Sequence, residues 1–176
     1  MTATLIILRH AKSDWSSPGL ADHDRPLNAR GERACVKMGS WLLSEGLNPD
    51  RVVCSTALRT RQTLDGITAA GLTPGDCIFE PDLYLAGEST FMSLIQTHLV
   101  SGQTLMMIGH NPGSQIISMS LARRGRSATS KALANRMAIK FPTAAAAVFE
   151  IEGGEEPDLL ARNCRLLHFK TPGDLD

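Results

Sequence analysis

Two histidines each follow a short apolar run of the chain, and the first has an arginine directly before it. His10 comes after Arg9 at the end of the run 4–8, and His110 follows the run 104–108. An arginine donates paired hydrogen bonds to two oxygens of one anion, and a neutral imidazole can attack phosphorus. These side chains favour a phosphoryl group as the ligand, with His10 as the candidate nucleophile.

A nucleophilic His10 needs a hydrogen-bond acceptor on its other ring nitrogen. That acceptor holds the tautomer and the ring orientation, and it is commonly a backbone carbonyl oxygen. The sequence does not reveal which group accepts.

A third polar cluster follows another apolar run, 51–54. It contains Ser55, Arg59 and Arg61. If the three runs are strands of one α/β sheet, these clusters can converge on a single crevice at the carboxyl ends of the strands. Arg61 is expected to be a solvated charge or to cap its helix.

The pattern of apolar residues predicts the elements that position these clusters. Uninterrupted or β-branched runs predict strands over 4–8, 51–54, 76–79, 104–108, 144–151 and 164–169. Steps of three and four predict helices over 28–44, 58–70, 89–100 and 114–122, with Asn28 as the first N-cap. The segment 133–139 is ambiguous, and the turn 153–157 suggests that the last two strands form a hairpin or a strand pair.

Alternating strands and helices predict the fold class. We expect a three-layer α/β/α domain with a mostly parallel central sheet, covering residues 1–176 as a single domain. Ligands of such sheets bind at the carboxyl ends of the strands.

Composition narrows the classes of partner. The chain has 43 % hydrophobic and 20 % charged residues, and 18 lysines and arginines balance 18 acidic residues. We therefore expect no nucleic-acid or membrane partner, and any anion site must be local. The start of the chain lacks a basic leader, and no apolar stretch approaches the roughly 20 residues of a membrane span, so a cytoplasmic protein is expected. The four cysteines are scattered along the chain, so they are expected to be reduced thiols.

Four blocks of the sequence, in order, resemble a known family. They are Leu-Arg-His-Ala at 8–11, Asp-Arg-Pro-Leu-Asn at 24–28 followed by Gly31, Ser-Thr-Ala-Leu-Arg-Thr-Arg-Gln-Thr at 55–63, and Gly-His-Asn-Pro at 109–112. Together they resemble the histidine phosphatase superfamily, whose fold is called phosphoglycerate mutase-like. Within it, the short chain, the Arg-Pro-Leu block and the Leu-Tyr pair at 83–84 resemble the SixA branch of small phosphohistidine phosphatases.

The resemblance implies a role for each matching residue. His10 would carry the phosphoryl group in a covalent intermediate, and Arg9 and Arg59 would bind its oxygens. His110 would donate to those oxygens as charge builds, and Arg25 matches the third arginine of the SixA type. The family's chemistry uses no metal and no cofactor, and His23, His98 and His168 have no companions at metal-ligand spacing.

Two positions depart from the family pattern. Ala11 stands where glycine is usual, which is tolerated if its φ is negative. Glu80 and Asp82 flank Pro81 as candidate general acids without matching the family block cleanly. A phosphoryl group leaving from a histidine nitrogen needs little help from an acid, so a missing acid favours phosphohistidine as the substrate.

A cysteine phosphatase is a further alternative, because Cys54 precedes two arginines. Four residues separate it from Arg59 and six from Arg61, and neither spacing closes the phosphate cradle of that class. Cys54 is better interpreted as the small apolar end of a buried strand.

The function predicted is removal of phosphate from phosphohistidine on a protein. The alternatives are a phosphatase for a small phosphorylated metabolite, with Glu80 or Asp82 as the acid, and a module that binds phosphate without turnover. Mutase activity is not expected, because the chain lacks long insertions that would build a lid.

The arginine cluster 123–126 is interpreted as a solvated loop or as a contact for an acidic protein. The sequence leaves the oligomeric state open.

Overall fold

The computed structural model describes residues 1–123, 128–152 and 163–176, with backbone alone for residues 128–130. In this part of the chain the strands are β1 (Thr2–Arg9), β2 (Arg51–Ser55), β3 (Asp76–Glu80), β4 (Thr104–Gly109), β5 (Ala146–Glu152) and β6 (Cys164–Lys170). The helices are α1 (Ala29–Ser44), α2 (Leu58–Ala69), α3 (Glu88–His98), α4 (Gly113–Ala122) and α5 (Ala128–Ile139).

The strands form one sheet in the order β3-β2-β4-β1-β5-β6. The pairs β2–β3, β2–β4 and β1–β4 are parallel, and β5 pairs antiparallel with both β1 and β6. This confirms the predicted α/β class with a mostly parallel sheet. The pairing of β5 with β6 confirms the predicted strand pair, while the turn 153–157 lies outside the described residues.

Helices cover both faces of the sheet, because strands buried on both sides present alternate side chains to each layer. Leu5 and Ile7 of β1 pack in one cluster with residues of α3, α4 and α5. Ile6 and Leu8 pack in the other cluster with residues of α1 and α2. The three-layer arrangement therefore follows from the uninterrupted apolar sequence of β1.

Local signals set the boundaries of individual elements. The Asn28 side chain accepts a hydrogen bond from the Gly31 amide at 2.9 Å, which confirms the N-cap of α1. The ambiguous segment 133–139 is the second half of α5. The strand expected from residue 144 starts at Ala146, since Ala144 has a positive φ of 61° that interrupts extended structure. Within the described ranges, no helix is long and apolar enough to cross a membrane.

Candidate active site

The two histidines lie side by side because β1 and β4 are neighbouring parallel strands in register. Arg9 is the partner of Gly109 in the ladder, and the His10 amide donates to the Gly109 carbonyl at 3.0 Å. Both strands end there, so both imidazoles project beyond the same edge of the sheet with their ring centroids 5.1 Å apart. His10 is 7 % exposed and His110 is 1 % exposed.

His10 has the hydrogen-bond acceptor that its proposed chemistry requires. Its Nδ1 lies 2.7 Å from the carbonyl oxygen of Ala11, the next residue. A carbonyl oxygen only accepts, so Nδ1 carries the proton and Nε2 keeps its lone pair. Ala11 itself is held by its amide, which donates to Thr63 Oγ1 at 2.9 Å, and its φ is negative, as tolerance of this side chain requires.

The His10 ring is neutral at physiological pH. Burial first, and then the guanidiniums of Arg59, Arg9 and Arg25, together lower its pKa to about 4 against the opposing hydrogen bond to Ala11. A neutral ring with a free Nε2 is the form that can attack phosphorus.

His110 is fixed through both ring nitrogens. Its Nδ1 lies 3.3 Å from Arg59 Nη2, which only donates, so Nδ1 accepts and Nε2 donates to Ser55 Oγ at 2.8 Å. Burial, the neighbouring His10 and the Arg59 charge lower the His110 pKa to about 3. Ser55 ends β2, so three strand ends contribute to this cluster.

Arg59 and Arg25 converge from different elements. Arg59 is in the first turn of α2 and donates to the Asp22 carbonyl at 2.5 Å and to the Asp22 carboxylate at 2.9 Å. Arg25 is buried, donates to the Asp14 carbonyl at 3.0 Å and to the Asp22 carboxylate at 2.7 Å, and its guanidinium lies 3.2 Å from the centre of the Trp15 ring.

Arg9 completes the set of guanidiniums at the end of β1. Its Nη1 donates to the Phe141 carbonyl at 2.8 Å, and its buried Nε has no hydrogen-bond partner in the described part of the chain. A buried donor without a partner is costly unless a ligand satisfies it. Arg9 therefore retains hydrogen-bonding capacity for an anion.

Asp22 is a site residue that the sequence analysis missed. Its carboxylate joins Arg25 to Arg59 and accepts from Tyr84 Oη at 2.6 Å. The hydrogen bond from Tyr84, followed by Arg59 and Arg25, lowers the Asp22 pKa to about 2. The only local signal was an acidic residue three positions before Arg25, which does not by itself show that the side chain contacts both arginines.

A pocket of about 380 Å³ opens onto these residues. Arg9, His10, Arg25, Arg59 and His110, the five residues predicted to bind or attack the phosphoryl group, all line it. Its remaining lining consists of Lys12, Ser13, Trp15, Asp22, Leu85, Asn111 and Thr143.

The two candidate general acids do not line this pocket. Glu80 Oε1 instead accepts from the Asp82 amide at 3.0 Å, at the start of the short 3-10 turn 81–83. Asp22 is the one carboxylate among the described residues that line the pocket, and its lowered pKa keeps it ionised.

Cys54 and Arg61, which the sequence offered for a cysteine phosphatase, do not line the pocket. Cys54 is fully buried, and burial raises its pKa to about 12, which opposes the thiolate that a cysteine phosphatase needs. Arg61 is exposed and lies 4.8 Å over the Phe79 ring. Across the described ranges no three histidine, cysteine or acidic side chains are grouped to hold a metal. Of the arginine cluster 123–126, only Arg123 lies within the described residues.

The geometry suits a tetrahedral dianion. Three guanidiniums and two neutral imidazoles line one pocket, and four of these five side chains are buried, so their hydrogen bonds to an anion are stronger than in bulk water. Nε2 of His10 keeps its lone pair in this pocket.

Comparison with known proteins agrees with this picture. Residues 5–83 match the model of the histidine phosphatase superfamily, branch 1. An uncharacterized protein of Mycobacterium tuberculosis is 38 % identical over 148 residues, covering 83 % of this chain and 88 % of that protein.

Two solved structures share the fold over nearly the whole chain. The "putative phosphohistidine phosphatase SixA" from Nakamurella multipartitia has a TM-score of 0.82 and 28 % identity, covering 98 % of this chain and 97 % of that one. The one from Agrobacterium tumefaciens has a TM-score of 0.76 and 28 % identity, with 96 % and 97 % covered.

Proposed function

The chain belongs to the histidine phosphatase superfamily, and from that membership and the geometry of its pocket we propose that it is a phosphatase that works through a phosphohistidine intermediate on His10. One observation carries the proposal. The Nδ1 proton of His10 is held by the Ala11 carbonyl, which leaves Nε2 unprotonated in a pocket with three guanidiniums.

The first step is attack of His10 Nε2 on phosphorus. A new N–P bond forms as the bond from phosphorus to the leaving group breaks, and the leaving group departs with the electron pair. The Ala11 carbonyl stabilises the positive charge that develops on the ring. Arg9, Arg25 and Arg59 neutralise the phosphoryl oxygens as charge moves onto them.

The second step is attack of water on the phosphorylated His10. The N–P bond breaks, the ring regains its lone pair, and inorganic phosphate leaves. His110 can assist both steps, because the Ser55 hydroxyl at its Nε2 is able to donate as well as accept. In the tautomer in which Ser55 donates to Nε2, the ring proton is on Nδ1, which donates to a bound phosphoryl oxygen instead of accepting from Arg59.

We further propose that the substrate is phosphohistidine on a protein. The two neighbours at 28 % identity are each described as a "putative phosphohistidine phosphatase SixA". The pocket also lacks a protonated carboxylic acid among its described residues, since Asp22 is ionised and Glu80 and Asp82 lie outside the lining. A phosphoryl group on a histidine nitrogen depends least on such an acid.

Turnover of three compounds tests the proposal. The protein in EDTA is given free phosphohistidine, phosphoramidate and an alkyl phosphate, and released phosphate is measured. We expect hydrolysis of the two P–N compounds, loss of at least about 1,000-fold in Arg59→Ala, and full activity in Cys54→Ser.

Two other results of this experiment would each support one of the alternative functions. Preference for the alkyl phosphate, with loss in Glu80→Gln or Asp82→Asn, would support the phosphatase for a small metabolite. Phosphate binding without turnover of any compound would support the binding module and overturn the enzyme.

A further inference from the structure

A groove larger than the catalytic pocket lies beside it. It has a volume of about 570 Å³ and is bounded by α1, the end of α5 and the carboxyl-terminal residues. We call it the basic groove, because its charged lining consists of Lys12, Arg30, Arg33, Lys37, Arg136 and Lys140 against the single carboxylate Asp176. A chain with no net charge thus places six of its 18 lysines and arginines around one cavity.

The cations stand in two rows at helical spacing. Arg30, Arg33 and Lys37 recur along one face of α1, at steps of three and four residues. Arg136 and Lys140 are four residues apart at the end of α5. Two rows on separate elements can follow an extended anionic surface better than a single point charge.

Most of these cations have no acidic partner. Lys37 pairs with Asp176, and Arg136 pairs with Asp174 at 2.5 Å. In the described parts of the chain no ion pair involves Lys12, Arg30, Arg33 or Lys140. Like charges gathered without counter-charges attract an anionic partner over several ångströms.

The lining between the cations is apolar. Ile139 is 85 % exposed, and Pro142 and Phe169 also line the cavity. Five of the six cations are exposed, and only Lys37 is half-buried. A compact polyphosphate needs buried, convergent donors, whereas exposed cations around an apolar lining suit a protein surface.

The basic groove is continuous with the catalytic pocket. Lys12 and Thr143 line both cavities, and Lys12 is two residues beyond His10. A molecule with its phosphoryl group at His10 can therefore place the neighbouring part of its surface in the groove.

We propose that the basic groove binds an acidic amphipathic helix of the phosphorylated protein substrate. The carboxylates of the helix pair with the cations of α1 and α5, and its apolar face covers Ile139 and Pro142. The phosphorylated side chain reaches the pocket past Lys12 and Thr143. This inference rests on the proposed function and adds how the substrate is recognised.

Matched peptides test the proposal. One helical peptide carries phosphohistidine next to a row of glutamates, a second replaces the glutamates with glutamines, and free phosphohistidine is the third substrate. We expect a kcat/KM about tenfold higher for the acidic peptide, arising in KM and shrinking in high salt.

The double variant Arg33→Gln/Lys140→Gln locates the effect. It should remove the preference for the acidic peptide and leave hydrolysis of free phosphohistidine unchanged. Lys131→Gln, which removes an exposed lysine of α5 outside the lining, should keep the preference. Equal kcat/KM for both peptides in the wild type, or an equal loss on free phosphohistidine in the double variant, would overturn the proposal.

A binding measurement separates failure of this proposal from failure of the proposed function. The unphosphorylated acidic peptide, labelled with a fluorophore, should bind the wild type and lose about tenfold affinity in the double variant even if no substrate is hydrolysed. Inorganic tripolyphosphate is the second probe. If it binds in the groove and the acidic peptide does not, the groove takes a small polyanion and the helix is excluded.

Discussion

The reactivity of His10 depends on two opposing interactions of one side chain. Burial and three guanidiniums lower its pKa to about 4, while the Ala11 carbonyl favours a protonated Nδ1. Because the carbonyl engages only Nδ1, the proton that remains on the neutral ring is on the side away from the attacking nitrogen. The proposed nucleophile is therefore in its reactive form at neutral pH without a separate base.

The protonation state of His10 gives the first prediction. Its pKa is below 6.5, so the ring should stay neutral, protonated at Nδ1 and free at Nε2, as the pH falls from 7 to 5. The measurement is a ¹⁵N NMR titration of the histidine side chains in phosphate-free buffer, with His10→Gln to assign the signal. Titration of His10 with a midpoint near 6.5 would contradict the described environment.

Asp22 gives the second prediction at this scale. Its carboxylate contacts Arg25 and Arg59, the same guanidiniums that are proposed to bind phosphate. Asp22→Asn should therefore tighten the binding of inorganic phosphate by about three- to tenfold, because one like charge is removed. Calorimetry measures the affinity, and Asp24→Asn, two residues further along, is the control, since among the described residues its side-chain hydrogen bond and ion pair are with His23 and with neither arginine. Weaker binding by Asp22→Asn would instead make Asp22 a positioning residue for the arginines.

At the scale of elements, the loop between β1 and α1 determines where six of the pocket's lining residues lie, which are His10, Lys12, Ser13, Trp15, Asp22 and Arg25. Two hydrogen bonds hold this loop in place. The Lys12 carbonyl accepts from the Asn28 amide at 3.0 Å, and the Leu27 amide donates to Gln62 Oε1 at 2.8 Å. The loop thus connects the nucleophile's strand to α1 and α2. Arg25 reaches the pocket because both ends of the loop are held.

The close approach of Gly31 to the loop gives a prediction about how firmly α1 holds the loop in place. A Cβ at Gly31 would collide with the backbone carbonyl of Lys12, two residues after the nucleophile. Gly31→Ala should therefore lower the free energy of unfolding by about 1–3 kcal/mol and reduce turnover. Gly87→Ala is the matched control, because its φ is −85° and a Cβ there meets nothing within 4 Å. Chemical denaturation gives both values, and equal stability of the two variants would show that the loop moves freely away from α1.

At the scale of the whole molecule, the sheet order concentrates positive charge at one edge of a chain that has no net charge. The ends of β1, β2 and β4 bring Arg9, both histidines and the start of α2 together, because these strands are neighbours in the sheet. The basic groove extends the same field along α1. Among the described residues that line the two cavities, the carboxylates are Asp22 and Asp176.

The two buried neutral histidines predict how stability depends on pH. Their folded-state pKa values, about 4 and about 3, lie below the value of 6.5 in the unfolded chain, so at pH 5 the unfolded chain binds more protons. The stability present above pH 6.5 should fall by about 2–4 kcal/mol between pH 7.5 and pH 5. Urea denaturation in buffers without phosphate measures it, and the variant His10→Gln/His110→Gln should flatten the dependence. A slope unchanged by this variant would contradict the burial of the neutral rings.

The strands and the residues at their ends could be predicted from the sequence, whereas the contacts between side chains far apart in the chain could not. Apolar runs that end in charged residues located His10, His110 and Arg59, because strand periodicity and the end of a strand are local properties. Asp22 was out of reach, and Tyr84 was noticed only as part of the pair at 83–84, since the hydrogen bond that joins the two side chains spans 62 positions. Ser55 was noticed as part of a block, but its bond to His110 depends on strand order, which local pattern does not determine.

The most direct test of the account is detection of the intermediate itself. The protein is mixed with phosphoramidate in EDTA, quenched in alkali within a fraction of a second, digested and analysed by mass spectrometry. The account predicts one acid-labile phosphoryl group on His10, present in Cys54→Ser and absent in His10→Ala. Hydrolysis of phosphoramidate with no phosphoryl group on His10, or with undiminished turnover by His10→Ala, would contradict it.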